Sequence, residues 1–434
     1  MDSNRNDLLA IRMGLIAVLL FVCSKGALSQ TNGRLDEERL NHLLEAIGER
    51  APSIPVPPEI EKSKDRKVRD EYFAKRKLQF EEHEARINAA IDEIAAMGDD
   101  VVDRLAGKYR TRIGAPRHKI IVVLAKIGTP KAREALLDIA TAKYNPNQTS
   151  YSDWAARNFV KIAPGKETIL PLLKSDNPDV ISVALQHLPG VAVDGRLLGS
   201  LKGFLQSTEY HPIMNFALRM KAASVLANDS DSALTGEKVA AILDSLRTVD
   251  DMPTANERFQ PDVAGTLADM MYHYLIDALT KIQGATPSLL QAKEGMTGRC
   301  RAAVIVALAL RGESAVKQEL RDLLRDPLMV SMTNMRNQAA RALGIIGTRE
   351  DIPFLEQRVR DDPLEIVDFH GPIFEMVNGQ YVNTGPRMAP IVPESDPAWK
   401  TARRWYPIRG AATQAIRAIE QRAGLEPSQS PPQK

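Results

Sequence analysis

The stretch from Arg301 to Arg360 states one pattern twice, and this constrains the fold more than any other feature of the chain. Arg301, Val304, Ile305, Leu308 and Gly312 are matched, each thirty-five residues later, by Arg336, Ala339, Ala340, Leu343 and Gly347. A second apolar run follows each glycine. Ala315, Val316, Leu320, Leu323 and Leu324 form one, and Ile352, Phe354, Leu355 and Val359 form the other. Apolar residues spaced by three and four line one face of a helix. Each unit is therefore expected to be a helix, a glycine-marked turn and a second helix, the glycine supplying the positive φ on which a helix ends at least cost. Two helices repeated at this period define an α-solenoid, in which each hairpin buries its apolar face against its neighbours.

The arrangement recurs with less fidelity upstream. Arg117, Ile120, Leu124 and Gly128 precede PKAREALLDIATAK, and Ala155, Ala156, Phe159 and Ala163 precede ETILPLLKS. A further pair has Ile181 and Leu185, then Leu197, Leu198, Leu201 and Leu205. Arg219, Ala222, Ala223 and Leu226 return to the arginine form, with VAAILDSL behind. A polar loop from Thr248 to Pro261 leads into a degenerate unit, ADMMYHYLIDALTKIQGATPSLLQA. Beyond the two clear copies, Arg409, Ala412, Thr413 and Ile416 make a final half-unit. The pattern resembles HEAT repeats, particularly the short bacterial ones of the phycobilisome-lyase type, best seen in RNQAARALGIIGTREDIPFLEQRV. The resemblance implies an all-α, right-handed solenoid of about seven hairpins over residues 100–363, its second helices lining the concave side and offering a surface to a protein or peptide. It does not imply lyase activity. Some relatives attach bilins to phycobiliproteins, many others are scaffolds, and no residue here matches that chemistry.

The flanks read differently. Residues 1–29 have the order of a cleavable signal peptide: Arg5 and Arg12, an apolar core from Met13 to Val22, then Ala27 and Ser29 before a cut at Gln30. The apolar run is shorter than the ~20 residues of a membrane span, so export to the periplasm or outside is expected, with no span left after cleavage. Residues 30–58 read as a short helix, with Leu40, Leu43, Leu44 and Ile47, and a proline-rich linker. Residues 59–99 read as one long charged helix with a stripe at Val68, Tyr72, Phe80, Ile87, Ile91 and Ile94. It either caps the open end of the first repeat or pairs with a partner as a coiled coil. An insertion, 364–405, separates the repeats from the half-unit at 406–424. Within it Asn378-Gly379, between alternating apolar and polar residues, is a β-hairpin sequence, and strand is expected only in the 370s and 380s. The polar tail, 425–434, is expected to be disordered.

Chemistry is sparse. With 57 basic and 55 acidic residues, a general affinity for nucleic acid is not implied. None of the seven histidines lies at helical ligand spacing from another, so no metal is assigned. No phosphate loop, dinucleotide fingerprint or GxSxG elbow is present, so neither catalytic residues nor a cofactor are assigned. Cys300, alone after cleavage, reads as a buried small hydrophobe. His273, between Tyr272 and Tyr274, is the most unusual titratable residue, with a hydrogen-bonded core histidine as the plainer reading. The recurring arginines are either an anion-binding ladder or ion pairs to acids of the preceding turn, such as Asp326 and Asp361. Candidate partner-binding residues are Lys317, Arg321 and Arg325, a stripe at i,i+4 spacing, and Phe374, Met376 and Tyr381 in the hairpin. The leading reading is an exported scaffold for a protein or peptide, without catalysis. An enzyme or enzyme accessory of the lyase type, and a binder of an anionic polymer or membrane surface, are the alternatives.

Overall fold

The computed structural model describes residues 37–49, 55–62, 65–111, 116–144, 151–249, 261–326, 332–362, 366–369, 374–377, 380–383, 387–388 and 403–425. The expected signal peptide and the polar tail from residue 426 lie outside the described residues. The chain divides into two compact units, one ending at Ala135 and one beginning at Leu136.

The first unit contains α1 (Glu37–Gly48), α2 (Pro58–Lys62), α3 (Arg66–Ala96), α4 (Val102–Thr111) and α5 (Pro116–Ile127). The single helix expected over 59–99 is divided, because the Asp65 carboxylate accepts from the amide of Lys67 at 2.8 Å and caps a fresh start at α3. Leu40, Leu43, Leu44 and Ile47 of α1 are buried as their spacing requires. Only the second half of the α3 stripe is buried: His83, Ile87, Ala90, Ile91 and Ile94 pack where α3 meets α1 and α5. Its first half leaves Val68, Phe73 and Leu78 at the surface, and ion pairs such as Arg66–Asp70 and Lys77–Glu81, four residues apart, support it.

The α6 helix (Pro130–Ala140) crosses the boundary. In the second unit first and second helices alternate: α7 (Ser152–Ile162) and α8 (Lys166–Ile169), α9 (Pro178–Gln186) and α10 (Gly195–Leu205), α11 (Pro212–Ala227) and α12 (Thr235–Arg247). There follow α13 (Pro261–Lys281) and α14 (Thr286–Gly295), α15 (Gly298–Leu310) and α16 (Lys317–Arg325), α17 (Thr333–Ile346) and α18 (Ile352–Asp361), then α19 (Pro407–Ala423). Starts are specified locally. Asn177 and Asp194 accept from the amides of Asp179 and Leu197 at 3.0 and 2.8 Å, and Pro178, Pro212 and Pro407 occupy first turns. ETILPLLKS does not form a full second helix. Pro171 has no amide to continue the ladder, and α8 gives way to a 3-10 turn at Leu172–Lys174.

The first helices, from α7 to α19, stack each on the next, and α13 also reaches α17 past α15. There the Asp269 carboxylate accepts from the amides of Asn334 and Met335 at 2.8 and 3.3 Å, serving α17 as a cap from another hairpin. The first-helix layer is the more closely packed.

The turn glycines serve two purposes. Gly128 and Gly312 have φ of 67° and 89°, as a helix-ending residue should. Gly347 has φ of −70°, and its reason is space: a Cβ there would collide with the backbone carbonyl oxygen of Leu343 and stand 2.9 Å from Cδ1 of Ile419. At Gly344 a Cβ would stand 2.8 Å from Cα of Ala415, so α17 and α19 approach almost backbone to backbone.

Between α18 and α19, β1 (Ile366–Phe369) lies antiparallel between β4 (Arg387–Met388) and β5 (Arg403–Trp405), while β2 (Phe374–Val377) pairs with β3 (Gln380–Asn383). Strand therefore extends beyond the 370s and 380s, to β1 and β5. Asn378 and Gly379 lie outside the described residues. Among the described residues no helix is long and apolar enough to cross a membrane.

Candidate functional site

The basic stripe of α16 is engaged with the next hairpin. Asp351, fully enclosed in the turn before α18, accepts from the Thr348 amide at 2.7 Å and from Nε of Arg321 at 2.6 Å, with the Lys317 ammonium 3.4 Å away. Burial pushes the Asp351 carboxyl up, but the Thr348 amide, Arg321 and Lys317 together hold it below the usual carboxylate range. Arg325 lies over the Phe354 ring, 4.8 Å from its centroid, and 3.5 Å from Asp322. The structure thus brings Lys317 and Arg321 together on one carboxylate, where they brace successive hairpins. Met376 stands opposite Tyr381 in the β2–β3 pairing, two positions after Phe374. The side chains of Phe374, Met376 and Tyr381 lie outside the described residues.

The recurring arginines are likewise engaged within the fold, with partners other than those expected. Arg336, 2% exposed, pairs with the buried Asp362 at 2.5 Å, and Arg409 donates to the Asp362 carbonyl at 2.9 and 3.0 Å. Asp362 therefore joins α17 to α19, and it follows the hairpin that Arg336 opens instead of lying in the turn before it. Arg219 donates to the Ser207 carbonyl at 3.1 Å and to the Thr248 hydroxyl at 3.0 Å, while Arg301 meets Glu319 at 2.7 Å. Arg117 lies 5.3 Å from the Tyr109 ring centroid. A guanidinium presents five donors in a fixed fork, which suits it to tying one helix end to the next turn.

His273 is half-buried, its ring edge-on to Tyr274 at 5.4 Å and its carbonyl accepting from Gln338 Nε2 at 3.4 Å. Its Nδ1 and the Oε1 of Gln338 are both enclosed without a hydrogen bond. The Cys300 thiol is half-buried rather than fully enclosed, and donates to the Leu246 carbonyl at 3.3 Å. Among the described residues no three of His, Cys, Asp and Glu are grouped so as to hold a metal ion.

Among the described residues of the second unit, grooves open between neighbouring helices. One, of about 470 Å³, lies between α15 and α16, with Ala302, Ile305 and Leu323 as its floor and Arg299, Arg301 and Asp326 at its rim. Another, of about 230 Å³, lies between α11 and α13 and is lined by Met220, Lys221, Ser224, Tyr274, Asp277 and Lys281 among others. Sequence reasoning missed both, because each is assembled from two helices. The nearest sequence cue to the second is Lys221, a charge within the apolar run of its helix, two residues after Arg219.

The family model of HEAT repeats matches residues 286–369, a stretch that runs from α14 through α18 into β1 and contains the first groove. Over that stretch the chain is similar to HEAT repeats. Comparison with curated proteins gives no match.

Proposed function

We propose that this HEAT-repeat chain is an exported scaffold that binds a protein or peptide and has no catalysis of its own. The observation that carries the reading is the groove between α15 and α16, which lies inside the matched stretch and joins an apolar floor to a rim of both charge signs. That is the make-up of a protein-binding patch, where a desolvated centre gives affinity and a polar rim gives register. In this reading the repeats, short and of the bacterial lyase-like form, make a right-handed solenoid of about seven hairpins over residues 100–363. In the same reading Phe374, Met376 and Tyr381 of the insertion at 364–405 contribute contacts to the partner. The leader directs export and is cut near Ser29/Gln30.

Capture of partners from the native host tests the proposal. Replacing Ile373 to Thr384 with a short Gly-Ser linker should abolish capture and leave the thermal transition nearly unchanged. A large loss of stability with undiminished capture would make the insertion a cap and refute its binding role. N-terminal sequencing of host-derived protein should find Gln30 first, and an intact Met1 would refute export by cleavage.

A further inference from the structure

Among the described residues the first-helix layer holds a cation with no carboxylate paired to it. Lys221, in the middle of α11, is half-buried, and its ammonium donates to the carbonyl and hydroxyl oxygens of Ser182 on α9 at 3.2 and 2.5 Å. Lys166, Lys238 and Lys293, also drawn into the fold, each hold an acid: Asp194 at 2.6 Å, Asp229 at 2.5 Å and Glu319 at 3.2 Å. The charges around Lys221 do not supply one. Arg157 on α7 repels it, though 3.8 Å from its own Asp153, and Asp277 on α13 is held by Lys281 at 2.7 Å. Asp179 on α9 attracts the ammonium but forms no ion pair with it. Burial first, and then Arg157, depress the ammonium's pKa.

An ammonium has three N–H donors, and Ser182 takes two. Lys221 also lines the groove of about 230 Å³, alongside apolar Met220, Ala227 and Ala278 and polar Ser224, Asn228 and Tyr274. We propose that this groove receives an acidic side chain of a protein partner, its carboxylate completing the hydrogen bonds of Lys221 and its methylenes lying against Met220 and Ala278. A carboxylate is favoured over a phosphate because one ammonium with one open donor neutralises a single charge. Phosphate recognition draws on further cations or an arginine fork, whereas Lys281, the other cation lining the groove, is already paired with Asp277 at 2.7 Å and no arginine is among the lining residues. The inference rests on the interaction reading only in taking the acid to belong to a protein.

Fluorescence polarisation on the full mature chain tests it, with labelled N-acetyl-Ala-Leu-Glu-Ala-Leu-amide, its Gln twin, inorganic phosphate as competitor, and vesicles containing phosphatidylglycerol. The Glu peptide should bind saturably and at least about tenfold more tightly than the Gln twin, as a charge-assisted hydrogen bond provides. Lys221→Met, which keeps the stem and removes the charge, should erase that difference. Equal binding of the twins, no binding of either, or a difference that survives Lys221→Met would overturn the assignment. So would phosphate or vesicles displacing the Glu peptide at equal concentration. Should Lys221→Met fail to fold, the wild-type comparison of the twins decides alone. A host partner captured equally by wild type and a folded Lys221→Met chain would refute the groove and leave the scaffold standing. Discrimination between the twins without any host partner would refute the scaffold instead.

Discussion

At the scale of single residues, buried charges are the most exposed to test. Asp362→Ala would leave the Arg336 guanidinium buried without its acid, which should cost about 3–5 kcal/mol. Hydrogen exchange should then accelerate in α17 and α19, the helices Asp362 joins. Two carboxyls should give pH dependences of opposite sign. Asp351 is held below its ordinary value, so its contribution is complete above the unfolded pKa of about 3.9. It is lost as pH falls through the lower folded value. Asp269 is raised, chiefly by burial, against the opposing amides of Asn334 and Met335 and the nearby His273. Its contribution is complete below the unfolded value and is lost as pH rises through the folded one. Urea midpoints from about pH 2 to about pH 7 should therefore lose an acid limb in Asp351→Asn and a falling limb in Asp269→Asn. Unchanged profiles would contradict both assignments. The recurring arginines were legible in the sequence, but their acceptors were not. A backbone carbonyl such as that of Ser207 has no sequence signature, and Asp361 and Asp362 differ only in which one turns inward.

At the scale of elements, helix periodicity placed most helices, because spacings of three and four survive wherever a face is buried. It failed where one residue decides between continuation and a break, at Asp65 before α3 and at Pro171 after α8. It also misjudged Gly347, which is needed for space against the Leu343 carbonyl oxygen and Ile419 rather than for a positive φ. Gly344→Ala should cost about 1–3 kcal/mol as the α17–α19 approach is forced apart. Leu343→Ala, at a fully buried position, should cost about 2–5 kcal/mol through lost burial and a residual cavity. Repeats touch mainly their neighbours, so exchange should quicken in α15 to α19 and stay slow in α9 to α12. Uniform acceleration throughout the second unit would contradict that locality. Within α3, amides from Arg66 to Phe80 should exchange faster than those from His83 to Ile94, since only the latter segment has a packed face.

At the scale of the whole molecule, the thirty-five-residue echo made the helical-repeat class plain, because a period carried by two helices leaves few other ways to bury the apolar faces. Which layer packs more tightly was not legible. It depends on contacts such as Asp269 with Asn334, made between hairpins that are not adjacent in the chain. Neither groove was legible, since spacing along one helix carries no record of what a second helix places opposite. A partner surface in the second unit can be located by crosslinking mass spectrometry of the partner captured by the mature chain in its own host. Partner crosslinks should fall in the second unit, concentrated in residues 286–388 with a further set around Lys221 and Lys281. Crosslinks confined to residues 37–111, or no partner above a mock-capture control, would contradict it.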